Sequence, residues 1–153
     1  RDYYASRGLG DVYKRQERGF FGFDKKEDVK YILISEKGCA DPSAEYSLEL
    51  ADGLLPLDIH TFDKDAFILE NEQVHKVTLY TKEKKACLSL HFHTPVVGLW
   101  SPPAKNAPFV CIEPWYGRCD RAHYTGEYKD KDWMQHLHPD KTFKGGYTIE
   151  IEE

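Results

Sequence analysis

The sequence predicts an all-β domain, an antiparallel β-sandwich. Two observations carry this. Short apolar or alternating runs recur at spacings of roughly 8 to 20 residues, bounded by Gly, Asp, Asn or Pro, the pattern of small sandwiches and barrels. Aromatic residues make up 14% of the chain, with ten tyrosines, which suits half-buried pleated surfaces or a ring-lined cleft. A single helical turn, around Asp132 to Leu137, is the only interruption expected.

The expected strands run in order along the chain. Val29 to Ser35 (VKYILIS) is an apolar run of strand length, ended by Lys37-Gly38. Tyr46 to Leu50 alternates, and Asp52-Gly53 supplies the next turn. Phe67 to Leu69 comes after an acidic loop. Val74 to Tyr80 and Ala86 to Phe92 both alternate, with Thr81 to Lys85 as the polar turn between them. Phe109 to Ile112 ends where Pro114 offers the ladder no N–H. Tyr147 to Ile151 is the last. That makes about seven strands, in one unit with no internal repeat.

Composition narrows the function. The 153 residues suffice for one domain with a core. A net charge of -5, with no basic stripe, argues against nucleic acid as a partner. No apolar run approaches the ~18 residues of a membrane span, and no signal peptide is evident. The four cysteines, Cys39, Cys87, Cys111 and Cys119, form no CxxC pair and read as free, mostly buried thiols of a cytoplasmic protein.

Residues 1–16 (RDYYASRGLGDVYKRQ) have no period, and no cap or turn joins them to the first strand-like residues. They resemble translated adapter sequence at the broken end of an assembled read. On that expectation natural sequence begins near Glu17, partway through a longer protein, and residues 17–153 form one β-sandwich unit.

The segment FVCIEPWYGRCD, residues 109–120, is chemically the most informative. Alternation puts Phe109, Cys111 and Glu113 on one strand face and Val110 and Ile112 on the other. Both faces are apolar, so the strand is expected to be covered on both sides. Lost hydration would raise the Glu113 carboxyl above about 4.3 and suit it to general acid–base work. The other reading is an exposed glutamate at the strand's end, paired with Arg118 or Arg121. Trp115, Tyr116 and Trp100 tilt the balance. Flat rings beside a carboxylate can stack on the C–H face of a pyranose while the carboxylate takes a hydroxyl proton. Core packing is the bland alternative for each tryptophan.

FVCIEPWYGRCD resembles the C-terminal signature of the aldose 1-epimerase family, the galactose mutarotase-like proteins, in the bacterial branch with an EPW-x-G segment. Pro95-x-x-Gly98-Leu99-Trp100 is similar to a Pro-x-x-Gly-Leu-Trp segment of that branch. Leu55-Pro56-Leu57, Asp65-Ala66-Phe67-Ile68, and Lys131, Leu137, Pro139 and Phe143 also resemble it, as supporting matches. The resemblance implies the C-terminal part of a large β-sandwich enzyme that interconverts α and β anomers of an aldohexose, phosphorylated or not, with no metal or organic cofactor. A glutamate takes the anomeric proton and a histidine protonates the ring oxygen. On the matching positions Glu113 is the general base and Asp65 a sugar-hydroxyl partner, with Asp63 the alternative. Trp100 and Trp115 complete the expected site. The family's acid histidine belongs to a Gly-His-Pro-like motif that this sequence lacks, so the chain is expected to be a fragment, inactive alone.

Two rival readings remain. His91-Phe92-His93 puts two imidazoles on one strand face, as metal-dependent cupin-like enzymes do, although no third ligand lies nearby in the sequence. A carbohydrate-binding sandwich without catalysis would need the tryptophans but not the carboxylate. Arg118 and Arg121 could meet a sugar phosphate, but read better as surface charges balancing Asp120 and the acids of 127–132.

Overall fold

Alternating side chains sort the strands into two layers. The computed structural model describes residues 18–152, in which ten strands form two five-stranded antiparallel sheets. The opening segment 1–16 lies outside the described residues. In chain order the strands are β1 (Phe20–Phe23), β2 (Lys30–Ile34), β3 (Ala40–Ser47), β4 (Leu54–Pro56), β5 (Phe67–Leu69), β6 (Lys76–Tyr80), β7 (Ala86–Phe92), β8 (Val96–Trp100), β9 (Cys111–Trp115) and β10 (Tyr147–Ile151). One sheet has the order β10-β7-β6-β1-β4 and the other β3-β2-β5-β8-β9.

The core lies between the sheets. Phe21, Leu55, Val77, Leu79, Leu90 and Phe92 of the first sheet meet Phe67, Leu69, Val97, Leu99 and Ile112 of the second. The intervening residues turn away: Thr78 bonds Ser89 at 2.7 Å on the first sheet's other face. This is the antiparallel sandwich expected from the alternation.

The turns match their residues. Asp52 and Gly53 both take positive φ, 54° and 77°, between the reciprocal hydrogen bonds of Ala51 and Leu54, the geometry of a type I′ hairpin turn. Lys84, also at positive φ, closes the β6–β7 turn, where Thr81 N–H donates to Lys85 O at 2.8 Å.

Three strands differ from expectation by omission: β1, β4 and β8. Each is only three to five residues long, and β1 and β8 contain a glycine, which weakens the local strand signal. Of the run read at 46–50 only Tyr46 and Ser47 are in a strand, the end of β3, and residues 48–50 lie outside it. Pro114 does not end β9 but sits inside it, opposite Val97. Among the described residues β9 pairs only with β8, and an edge strand tolerates a residue without an N–H. No helix forms at 132–137; the short 3₁₀ turns are Glu36–Gly38 and Tyr128–Asp130. Of the four cysteines only Cys111 is buried, so the expectation of mostly buried thiols is corrected.

The second sheet is covered on part of its outer face as well. Ile32, Ala40, Ile68 and Val96 form a smaller apolar cluster there, closed by Ile34, Trp115 and Trp133. Trp133 comes from the long segment 116–146, which leaves β9 and crosses this face before β10. That explains why β5, FIL, is apolar without alternation: it is buried on both sides.

Candidate functional site

The β8–β9 hairpin builds the site. Its register sets Gly98 opposite Glu113, Trp100 opposite Cys111 and Val96 opposite Trp115. Leu99 and Ile112 point into the core, so Trp100, Gly98, Cys111, Glu113 and Trp115 share the outer face. Successive residues on that face are roughly 7 Å apart along the strand. Three of the four expected site residues therefore stand together.

Gly98 arranges them. A side chain there would collide with the Trp115 ring, whose Cζ2 lies 2.6 Å from where a Cβ would be. The ring thus lies across Gly98 and ends against the outer cluster. Trp100, half-buried, packs its ring near Phe109, 6.3 Å between centroids. Glu113 is half-buried between them, with one face of its strand in the core and the other only partly covered. The expectation of cover on both sides is met only in part.

Glu113 makes no ion pair among the described residues. The arginines that could have paired with it are engaged elsewhere. Arg118, whose side chain is 1% exposed, donates from Nε to Glu70 and from the guanidinium end to Asp132, both at 2.5 Å. Arg121 also forks onto Asp132, with Nε at 2.9 Å. Trp133 Nε1–H adds a bond to Glu70 at 2.8 Å. The reading of Arg118 as a surface charge is corrected: it is the buried centre of a network tying the 116–146 segment to the end of β5. With two carboxylates on its fork, it has little capacity left for a phosphate.

Cys111, on the same strand face, is a polar partner of Glu113. Burial pushes its thiol up to about 11, and the charge of Glu113 and a hydrogen bond to it act in the same direction. The thiol stays protonated at neutral pH and donates to the carboxylate.

Asp65 stands apart. It precedes β5 at φ 73°, and its Oδ1 accepts the Ala66 N–H at 2.7 Å. Among the described residues no hydrogen bond or ion pair joins it to Glu113 or the tryptophans. Asp63, the alternative, is exposed and bonds His60 at 2.8 Å.

A groove of about 670 Å³ opens beside the hairpin, between Trp115 to Cys119 and the residues Tyr128, Lys131, Asp132, Met134 and Gln135. Glu113 does not line it; Trp115 forms the boundary between the two. Sequence reasoning had Asp132 among the acids that Arg118 and Arg121 would balance, and both arginines do pair with it, but it missed Glu70 and Trp133, which anchor the same network. No motif marks them, because their partners are distant in sequence.

The histidine pair lies on the other sheet. His91 bonds Glu150 of β10 at 2.8 Å, and His93 packs against His75 with 4.9 Å between ring centroids. They line a separate groove of about 800 Å³ with Lys144 and Tyr116. No group of three or more potential metal ligands gathers among the described residues. No helix among them is long and apolar enough to cross a membrane.

Two facing antiparallel sheets, with a carboxylate and two tryptophans on the outer face of one, make a β-sandwich whose fold is like that of galactose mutarotase-related structures. The chain superposes on the galactose mutarotase-related enzyme from Lactobacillus acidophilus with a TM-score of 0.77 and 28% identity, covering 92% of this chain and 47% of that one. A galactose mutarotase-like protein from Lactobacillus casei shares the fold, with a TM-score of 0.66, 20% identity, and coverage of 99% and 55%. In sequence it is similar to two LacX proteins of Lactococcus lactis subsp. lactis, plasmid and chromosomal. Each is 32% identical over 140 residues, covering 84% of this chain and 46% of the relative. The chain thus spans about half the length of these relatives. No protein-family model matches it.

Proposed function

We propose that this chain carries the base side of a cytoplasmic aldose 1-epimerase-like site, which interconverts the α and β anomers of an aldohexose without a cofactor. The observation that carries the reading is Glu113: a half-buried carboxylate, free of any cation among the described residues, standing between two tryptophans on one sheet face. The likeness to a mutarotase-related enzyme at 28% identity supports it.

In this mechanism Trp115 and Trp100 offer apolar faces to the C–H side of the pyranose. Glu113 takes the proton from the anomeric hydroxyl. As the C1–O5 bond breaks, an acid delivers a proton to O5. Rotation about C1–C2 and closure on the other face invert C1, and the protons return in the opposite sense. Asp65 would hold a ring hydroxyl, which requires its side chain to leave Ala66. The acid must come from elsewhere than this sheet, because none of its five strands contains a histidine. Acid and base must act on the same bound sugar, so this chain alone is expected to bind aldoses weakly and to leave their exchange at the buffer rate.

Anomer exchange measured by two-dimensional exchange NMR tests the reading. A protein containing this segment together with its acid should accelerate exchange of glucose or galactose. Tight sugar binding with no acceleration would instead support a non-catalytic carbohydrate-binding sandwich.

A further inference from the structure

One end of the first sheet gathers more basic groups than carboxylates. β6 and β10 both run antiparallel to β7, with Lys76 and Thr148 each opposite His91, so the start of β6, the end of β7 and the start of β10 meet there. His75, His91 and His93 line the groove at this end, with Lys144 from the chain that leads into β10. Carboxylates answer only part of the set. Glu150 bonds His91 Nε2 at 2.8 Å, and Glu152 lies 3.9 Å from Lys76 Nζ. Asp24 accepts the main-chain N–H of His75, at 3.1 Å from each oxygen, rather than its ring. That ring, 4.9 Å from the ring of His93, keeps Nδ1 buried and without a hydrogen-bond partner. A buried nitrogen left in this state is costly, and a ligand would relieve it. Lys144 is exposed and, among the described residues, has neither a carboxylate nor a hydrogen-bond partner.

We propose that this groove binds the phosphate group of a small anion. Lys144 supplies a full charge, as lysine does in other phosphate sites. His75 Nδ1–H and the His93 ring donate hydrogen bonds to the phosphate oxygens. The groove, about 800 Å³, leaves room for the organic part of a phosphate ester. The arginines decide which groove is suited. Arg118, which by type matches a phosphate best, is committed to Glu70 and Asp132 beside the other groove, whereas no carboxylate holds Lys144 among the described residues. A divalent cation fits less well, because the described residues gather no group of three potential metal ligands and Lys144 would repel it. The site needs neither a sugar nor Glu113.

Titration calorimetry and NMR on the full chain test this, with inorganic phosphate, glucose 6-phosphate and glucose as probes, at low ionic strength to limit screening. Both phosphates should bind saturably. On saturation the ring resonances of His75 and His93 should shift, while that of His60, in the loop before β5 and bonded to Asp63, should not. Glucose should leave all three in place. Lys144→Gln should weaken both phosphates about tenfold or more, the size of a lost hydrogen bond to a charged group. Lys144 is exposed, so the variant keeps the fold. Lys131→Gln, in the other groove, should leave binding unchanged. Tighter binding of the ester than of inorganic phosphate assigns the site to a phosphate ester, and the reverse assigns it to free phosphate. The proposal is overturned by no saturable binding of either phosphate, or by affinity that Lys144→Gln leaves within about twofold. It is equally overturned if glucose moves the same two histidines, or if phosphate moves only residues outside this groove.

Discussion

A Cβ on Gly98 would stand 2.6 Å from Cζ2 and 2.7 Å from Cη2 of Trp115. Gly98→Ala must therefore push the indole off the sheet, although the backbone itself tolerates alanine. The expected cost is about 1–3 kcal/mol, as for other overpacking changes. Urea denaturation would measure it, and weakened quenching of tryptophan fluorescence by sugar would report the displaced ring. Period-2 alternation is enough to put Glu113 and Cys111 on one face. It cannot show that Gly98 makes room for Trp115, because a glycine in a strand reads equally as a bulge. Nor can it show Asp65 at positive φ with its carboxylate turned to its own chain. That conformation depends on the turn before β5, for which the sequence offers only an acidic loop.

Arg118 and its two carboxylates tie the segment 116–146 to the end of β5. Arg118→Leu would strand Glu70 and Asp132 together in a half-buried site. Breaking such a pair costs about 3–5 kcal/mol, and a fall of that size in unfolding free energy is expected. The same network makes the segment acid-sensitive. Bonding to Arg121, and to a lesser degree Arg118, holds the Asp132 carboxyl below its ordinary value of 3.8. A depressed folded value means the stabilisation is complete above 3.8 and is lost as pH falls through the folded pKa. Trp133 emission should shift to the red in that acid window, and Asp132→Asn should remove the transition at the expense of stability at neutral pH. The helical turn expected around Asp132 to Leu137 does not form. Trp133 is instead drawn to the outer face of the sheet and Leu137 is left 61% exposed, so tertiary contacts override a weak local pattern.

Across the whole molecule the two sheets are unequally covered. Tyr147, Ile149 and Ile151 of β10 continue the core-facing rows of Phe92, Leu90 and Leu88, yet are 61%, 43% and 63% exposed. An apolar stripe on an edge strand favours association with other surfaces. The purified chain should bind an apolar fluorescent dye and self-associate, and Ile149→Lys should reduce both, as read by dye emission and light scattering. A monomeric parent that leaves the dye dark would contradict this. The two-layer architecture is legible from run length and turn residues, and β2, β5, β6, β7 and β10 lie close to where the pattern puts them. Which strands share a sheet is not legible. β1 sits between β4 and β6, and β5 between β2 and β8, through pairings that no local pattern encodes.

The whole functional reading stands on Glu113 as a proton acceptor. Glutamine keeps the side chain's shape and cannot take the proton. The direct measurement is polarimetry of freshly dissolved α-galactose or α-glucose, with a protein that joins this segment to its acid partner, as parent and as Glu113→Gln. The expected result is a loss of about 10²- to 10⁴-fold in the catalysed rate, with the circular dichroism spectrum unchanged. A variant within about threefold of the parent, far short of what loss of a general base produces, would contradict it.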